Sequence, residues 1–203
     1  MLRLLVSAAA VSLILVCPAY ADNVPQPTAS YSGEGIMHMG GQPDMPFRVN
    51  AAGATERREM VMQGSAQTMI KRPDLGVIYM LMPQMGQAME MPLDRGGMPT
   101  DNMDAYNPVA VGSESMLGES TTKYRMQGGD ANGSFDGHAW ITGDGIMMRM
   151  EGQATGDGFA GPVSIVLNSL QRGPQDPSLF ELPPGTSVMQ MPGGHAGRWR
   201  WRR

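Results

Sequence analysis

Sulfur is the chemistry this sequence holds in excess. Of its 203 residues, 21 are methionine and one is cysteine. Within the stretches that read as strands, ten methionines stand two apart: Met37/Met39, Met60/Met62, Met80/Met82, Met89/Met91 and Met148/Met150. On a β-strand, residues two apart project from one face, so each pair is expected to present both thioethers together. A thioether is polarizable and adaptable, which suits it to filling a core or to gripping an apolar molecule. It is also a soft ligand for ions such as Cu(I). The expected role of these ten residues is a ligand-binding wall for a lipid or acyl chain. Core filling is the plainer reading of the same pattern. The alternative function is a methionine-based copper or silver binder of the periplasm. In Met37-His38-Met39 the imidazole would face away from both sulfurs, so no metal-ligand set is assigned and no cofactor is expected.

Other chemistries are poorly served. The sequence has no G-x-S-x-G elbow, no H-E-x-x-H and no phosphate-cradling G-x-x-x-x-G-K. His38, His138 and His195 are scattered, and no nucleophile stands at a telling distance from a base. The expectation is a protein that is not an enzyme. Asp130-Ala131-Asn132-Gly133-Ser134-Phe135-Asp136 alternates oxygens like a calcium loop. Phe135 stands where such a loop needs glycine, and Ile141 replaces the bidentate acid, so it reads as a hairpin turn.

The two ends carry separate signals. Leu4 to Val16 is a continuous apolar run after Arg3, broken by Pro18 and followed by Ala19-Tyr20-Ala21. That pattern predicts a signal peptide (residues 1–21), cleavage after Ala21 and a periplasmic product. Cys17 would be removed with it. A lipoprotein reading of Cys17 is weakened by Ile14-Leu15-Val16, which lacks the small residue expected before the cysteine. Without Cys17 the chain has neither disulfide nor thiol nucleophile. At the other end, Gly193 to Gly197 forms a spacer, and Arg198-Trp199-Arg200-Trp201-Arg202-Arg203 alternates cations with indoles. Indoles favour the headgroup boundary and clustered cations favour anionic lipid. An anionic membrane surface or lipopolysaccharide is the expected partner of this tail, its contact residues being Arg198 to Arg203. Folding back onto an acidic body is the alternative.

That body is acidic: loss of Arg3 leaves 14 basic against 19 acidic residues, a net of −5, with four of the cations in the tail. Nucleic acid is excluded as the main partner, since phosphate contacts need a basic face. Only 17% of residues are charged, while glycine (27) and proline (16) make up about a fifth of the chain. Coiled coils and full disorder are both excluded by such numbers.

Short strands joined by turns fit instead. Period-two runs recur from Tyr31 to Met91, punctuated by Gly40-Gly41, Gly53, Gly64, Pro73 to Gly76 and Pro83. They predict a meander of neighbouring antiparallel strands. Residues 94–114 lose the rhythm, with room for a short helix capped by Asp101. Strands resume at Ser120–Gln127, Gly137–Thr142, Ile146–Gly152 and Phe159–Leu170, and Asp176-Pro177 opens one helical turn. Nine or ten strands and one or two short helices are expected. In Val77–Met82 both faces are apolar, Val77/Tyr79/Leu81 on one and Ile78/Met80/Met82 on the other, so the strand must be covered twice. Residues 22–30 read as a flexible lead, 31–192 as one β-rich domain.

Several stretches resemble a family of uncharacterised bacterial envelope proteins. They are Ile70-Lys71-Arg72-Pro73-Asp74-Leu75-Gly76-Val77 through Pro83, Met89-Glu90-Met91-Pro92 and Thr122-Lys123-Tyr124-Arg125. Ala139-Trp140-Ile141-Thr142-Gly143-Asp144-Gly145-Ile146, Met148-Arg149-Met150 and Phe180-Glu181-Leu182-Pro183 continue the likeness. Those proteins are similar to the outer-membrane lipoprotein carrier superfamily. The resemblance implies a mainly β, Lol-type fold: an antiparallel sheet curved into an incomplete barrel whose concave side holds lipid or acyl chains.

Overall fold

The computed structural model describes residues 23–62, 64–93, 103–130, 133–156 and 158–190. The expected signal peptide with Cys17, Asp101 and the stretch from Gly193 to Arg203 lie outside the described residues. Twelve strands form one sheet: β1 (Ser30–Met39), β2 (Met45–Ala52), β3 (Thr55–Met62), β4 (Ser65–Arg72), β5 (Val77–Met82), β6 (Gln87–Pro92), β7 (Val109–Met116), β8 (Glu119–Asp130), β9 (Gly133–Thr142), β10 (Met147–Gly156), β11 (Phe159–Arg172) and β12 (Ser187–Gln190). Their spatial order is β12-β6-β5-β4-β3-β2-β1-β11-β10-β9-β8-β7. Consecutive strands pair antiparallel, as tight turns dictate. Two joins break that rule: β1 pairs with the late strand β11, and β12 runs parallel to β6. β7 and β12 are the two edges, so the sheet is not closed into a barrel.

Helix is confined to 3-10 turns at Pro83–Met85, Met103–Tyr106 and Pro177–Phe180 among the described residues. Asp176 caps the last, its carboxylate accepting from the Ser178 N–H at 2.9 Å. The strand expectation falls short at both edges. β7 occupies part of the stretch read as irregular, and residues 110–115 are exposed on both faces, so no alternation marks it. Its turn is Leu117-Gly118, with φ of +51° and +82°, the type I′ shape that sequence usually flags by Asn-Gly.

One face of the sheet, here called the inner face, makes the core. Phe47, Val49, Tyr124, Met126, Phe135, Ile141, Met148, Met150, Ile165 and Leu167 form one buried cluster, joined by Tyr106 of the 3-10 turn. At two places on this face glycine lies beneath phenylalanine. Gly35 is paired with Phe47, and a Cβ on Gly35 would stand 2.5 Å from the Phe47 ring. Gly137 is paired with Gly152, and both lie under Phe135. Bare backbone lets the ring lie flat on the neighbouring strand while it fills the missing side-chain volume. The lead expected to be flexible is pinned: Val24 is buried in the core, and the Thr28 N–H donates to the Asp144 carbonyl at 3.0 Å.

The outer face is mostly polar, with an apolar patch on β4, β5 and β6 covered by the chain itself. Ile70, Leu81 and Ala88 are buried there beneath Phe180, with Tyr79, Leu179 and Leu182 around them. The second cover expected for Val77–Met82 is thus the chain's own 177–182 segment on the Tyr79/Leu81 side. Arg57 and Arg72 hold it down by donating to the Leu179 and Phe180 carbonyls at 3.1 and 3.2 Å.

A clamp joins the ends of the core strands. Arg172 reaches Glu119 at 2.8 Å and Asp144 at 2.6 Å. Hydrogen bonds from Arg172 are the main reason both carboxyls titrate below the usual range, with Thr142 assisting at Asp144. Depressed carboxyls contribute stability above their unfolded pKa of about 4, and that contribution fades as pH falls through the folded values. Arg172→Ala should therefore cost about 1 kcal/mol at pH 7, because these groups are partly exposed and screened. The gap between variant and parent should close near pH 2 in urea titrations; a gap constant with pH would refute the clamp.

Candidate functional site

The inner face changes character between the two halves of the sheet. Met37, Met148 and Met150 lie in the main core with Met45 and Met126, at 4% exposure or less for the three expected wall residues. Side chains packed at that density leave no area for a guest, so these three fill core rather than line a binding wall. Met39 and Met60 are half-buried against the same cluster. Met62 lies on β3, but its side chain lies outside the described residues.

Met80, Met82, Met89 and Met91 are all half-buried and share the inner face of β5 and β6. Strand pairing extends the set by Met69, which has no methionine two residues away, and by Met189. Met69 stands opposite Met80, Met80 opposite Met89, and Met89 beside Met189 of the edge strand. Four methionines thus form one row across β4, β5, β6 and β12. Directly opposed side chains have Cβ atoms about 4.5–5.5 Å apart, close enough for the thioethers to touch. Met69 is buried, and Met189 is 43% exposed at the open end. The signal for Met69 was present: the turn Pro73–Gly76 fixes the hairpin register, and counting back from it gives Met69 as the partner of Met80. For Met189 the sequence offers no register, because β12 arrives by a long connection.

The inward end of the row is ionic. Arg58 stands opposite Met69, and Glu56 stands opposite Lys71, all four on the inner face. Arg58 is 5% exposed and meets Glu56 at 2.7 Å. Its guanidinium carbon lies 5.1 Å from the Phe47 ring centre. Tyr31 is close by, its hydroxyl held strongly in the protonated form by burial, then by the charge of Glu56. These groups border a cavity of about 50 Å³ walled by Phe47, Val49, Ile165 and Leu167. A wider open groove of about 820 Å³ borders Phe47 and Met60 together with Ile36, Pro46, Val61 and Ala66.

The histidines do not join this site. His38 faces away from Met37 and Met39 and meets Asp44 at 2.8 Å. His138 leans on Trp140 on the outer face, 6.0 Å between ring centres. Burial first, then Lys123 and Arg125, lowers its pKa. Trp140 is buried there between Lys123, 4.6 Å from its ring centre, and Arg149, at 4.9 Å. Among the described residues, no three of His, Cys, Asp and Glu gather as a metal site. The Asp130–Asp136 stretch is the β8–β9 hairpin, its Ala131-Asn132 tip outside the described residues. No described helix is long and apolar enough to cross a membrane.

No protein-family model and no curated protein matches the sequence. Solved structures do match. An uncharacterised conserved protein from Thermus thermophilus aligns with a TM-score of 0.55 at 11% identity, over 81% of this chain and 91% of that one. A chain of the Pseudomonas aeruginosa MucA/MucB complex aligns at 0.47 and 11% identity, over 80% of this chain and 58% of that one. A domain named for outer-membrane lipoprotein sorting, from Vibrio parahaemolyticus, aligns at 0.37 and 8% identity, over 76% of this chain and 91% of its own. The chain therefore has the open, mainly antiparallel β fold of the Thermus protein.

Proposed function

We propose that the protein is a non-enzymatic binding module of the periplasm. It takes an apolar or lipid ligand along the methionine face of β4, β5, β6 and β12. The observation that carries this reading is the opposed row Met69–Met80–Met89–Met189, flanked by Met82 and Met91, half-buried at Met80 and Met89 and exposed at Met189. A soluble protein rarely leaves such a continuous apolar strip without an occupant. Flexible thioethers let one strip fit chains of different shape. Affinity would come from area, about 25 cal/mol per Å² removed from water. The leader supports export, and the Arg198–Arg203 tail supports contact with an anionic membrane surface or lipopolysaccharide; both readings rest on sequence.

A second reading rests on the same row. Opposed thioethers on neighbouring strands are also a soft-metal geometry, for Cu(I) or silver. Native mass spectrometry of protein purified from the periplasm separates the two. A co-purifying lipid mass is expected; a copper adduct in its place would favour the metal reading, and a bare polypeptide mass would count against both.

A further inference from the structure

We propose that Met80, Met89 and Met189 form an oxidation site: hydrogen peroxide converts them to sulfoxides from the open edge inward, and the strip then releases its apolar chain. The release rests on the binding reading above; the order of oxidation does not. Exposure along the row carries the argument. Met189 on the edge strand is 43% exposed, Met89 and Met80 are half-buried, and Met69 falls to 6%. The row thus meets water at one end and the interior at the other. Elsewhere the thioethers are sealed, Met126 and Met148 at 0% and Met150 at 1%. Oxygen transfer requires the oxidant to touch sulfur, so the folded protein ranks its methionines by access. Cys17, the one thiol, belongs to the expected signal peptide, which leaves thioethers as the softest nucleophiles of the exported chain.

The step balances between thioether and peroxide. A sulfur lone pair attacks one peroxide oxygen, and the S–O bond forms as the O–O bond breaks. The proton of the transferred oxygen passes to the departing hydroxide, which leaves as water. Sulfur gives up two electrons and the peroxide takes them. The product oxygen is polar and accepts hydrogen bonds. On Met80 or Met89 it stays hydrated, because both side chains reach water, and the fold keeps it. An apolar chain lying on the strip would bury that oxygen without a donor, which is unfavourable. The same change at Met126 or Met148 would leave an unpaired acceptor in the core; burial prevents it while the protein is folded. A seated chain in turn covers the sulfurs of the strip and slows their oxidation.

The test treats the full protein with hydrogen peroxide, maps sulfoxides by peptide mass spectrometry and measures affinity for a neutral fluorescent chain probe. Met189 should oxidise ahead of Met89 and Met80, and all three at least about tenfold faster than Met126, Met148 and Met150. Probe affinity should fall at least about tenfold once Met80 and Met89 are sulfoxides, and methionine sulfoxide reductase should restore it. In the triple variant Met80→Leu/Met89→Leu/Met189→Leu, peroxide should shift affinity less than about twofold from that variant's own untreated value. Met85→Leu removes the 60% exposed sulfur of the turn between β5 and β6, and it should respond to peroxide as the parent does. Oxidation of the row no faster than of Met126, Met148 and Met150 would overturn the site. An oxidised row with undiminished affinity would overturn the release. Failure of the untreated protein to bind the probe would bring down the binding reading and the release with it, while the order of oxidation is still judged by the peptide map.

Discussion

Replacing Phe135 by alanine should cost about 3–5 kcal/mol, the usual loss for a buried phenylalanine. That is a large part of the roughly 5–15 kcal/mol on which a domain stands. The ring is 1% exposed and meets Tyr106 edge-on, ring centres 6.0 Å apart at 86°. Beneath it lie Gly137 and Gly152, paired across β9 and β10. A Cβ on Gly137 would fall 2.6 Å from the Phe135 ring, and one on Gly152 2.9 Å from it. The ring is therefore the side chain of three positions at once. Its loss leaves a cavity over bare backbone, where no neighbour can swing in because the two residues below have no side chains. Urea unfolding should show a lower midpoint with an unchanged slope. Phe135→Leu should retain about half of the stability lost, since volume returns without the planar fit. A loss below about 1 kcal/mol would show that the glycine pair closes up without the ring.

The same stretch marks where sequence reading works and where it stops. The meander from β1 to β6 was legible because its turns are glycine and proline and its strands alternate. The mainly antiparallel class followed from that pattern, and the incomplete barrel from the resemblance. β7 was hidden because an edge strand exposed on both faces has no hydrophobic period, and β12 because a four-residue exposed strand has none either. Pairs such as Met80/Met82 gave faces correctly but not neighbours. Whether a methionine fills core, like Met148, or half-surfaces, like Met89, depends on what packs across the sheet, and that is set by strands distant in sequence. The ionic end was the clearest omission. Glu56, Arg58 and Lys71 look like solvated charges in an alternating strand, and only their register opposite Ala51, Val49 and Ile78 places them inward.

Glutamate at both Met80 and Met89 should abolish ligand uptake while leaving the fold in place. The two positions are directly opposed and half-buried, so the carboxylates keep contact with water in the free protein. Like charges across a strand pair cost at most about 1 kcal/mol, which the fold can absorb. A guest faces a different cost. It would lose roughly 100 Å² of apolar contact, about 2.5 kcal/mol, and would have to strip water from two charges as well. Probe binding should fall at least about a hundredfold, and the co-purifying lipid should vanish. Val188→Glu is the control, because Val188 lies on the other face of β12 and is 44% exposed; it should bind as the parent does. Leucine at Met80 and Met89 divides the two readings of the row. It keeps apolar area while removing sulfur, so a lipid carrier should retain its ligand and a soft-metal site should lose its ion. Undiminished uptake by the folded double-glutamate variant would show that the occupant lies elsewhere.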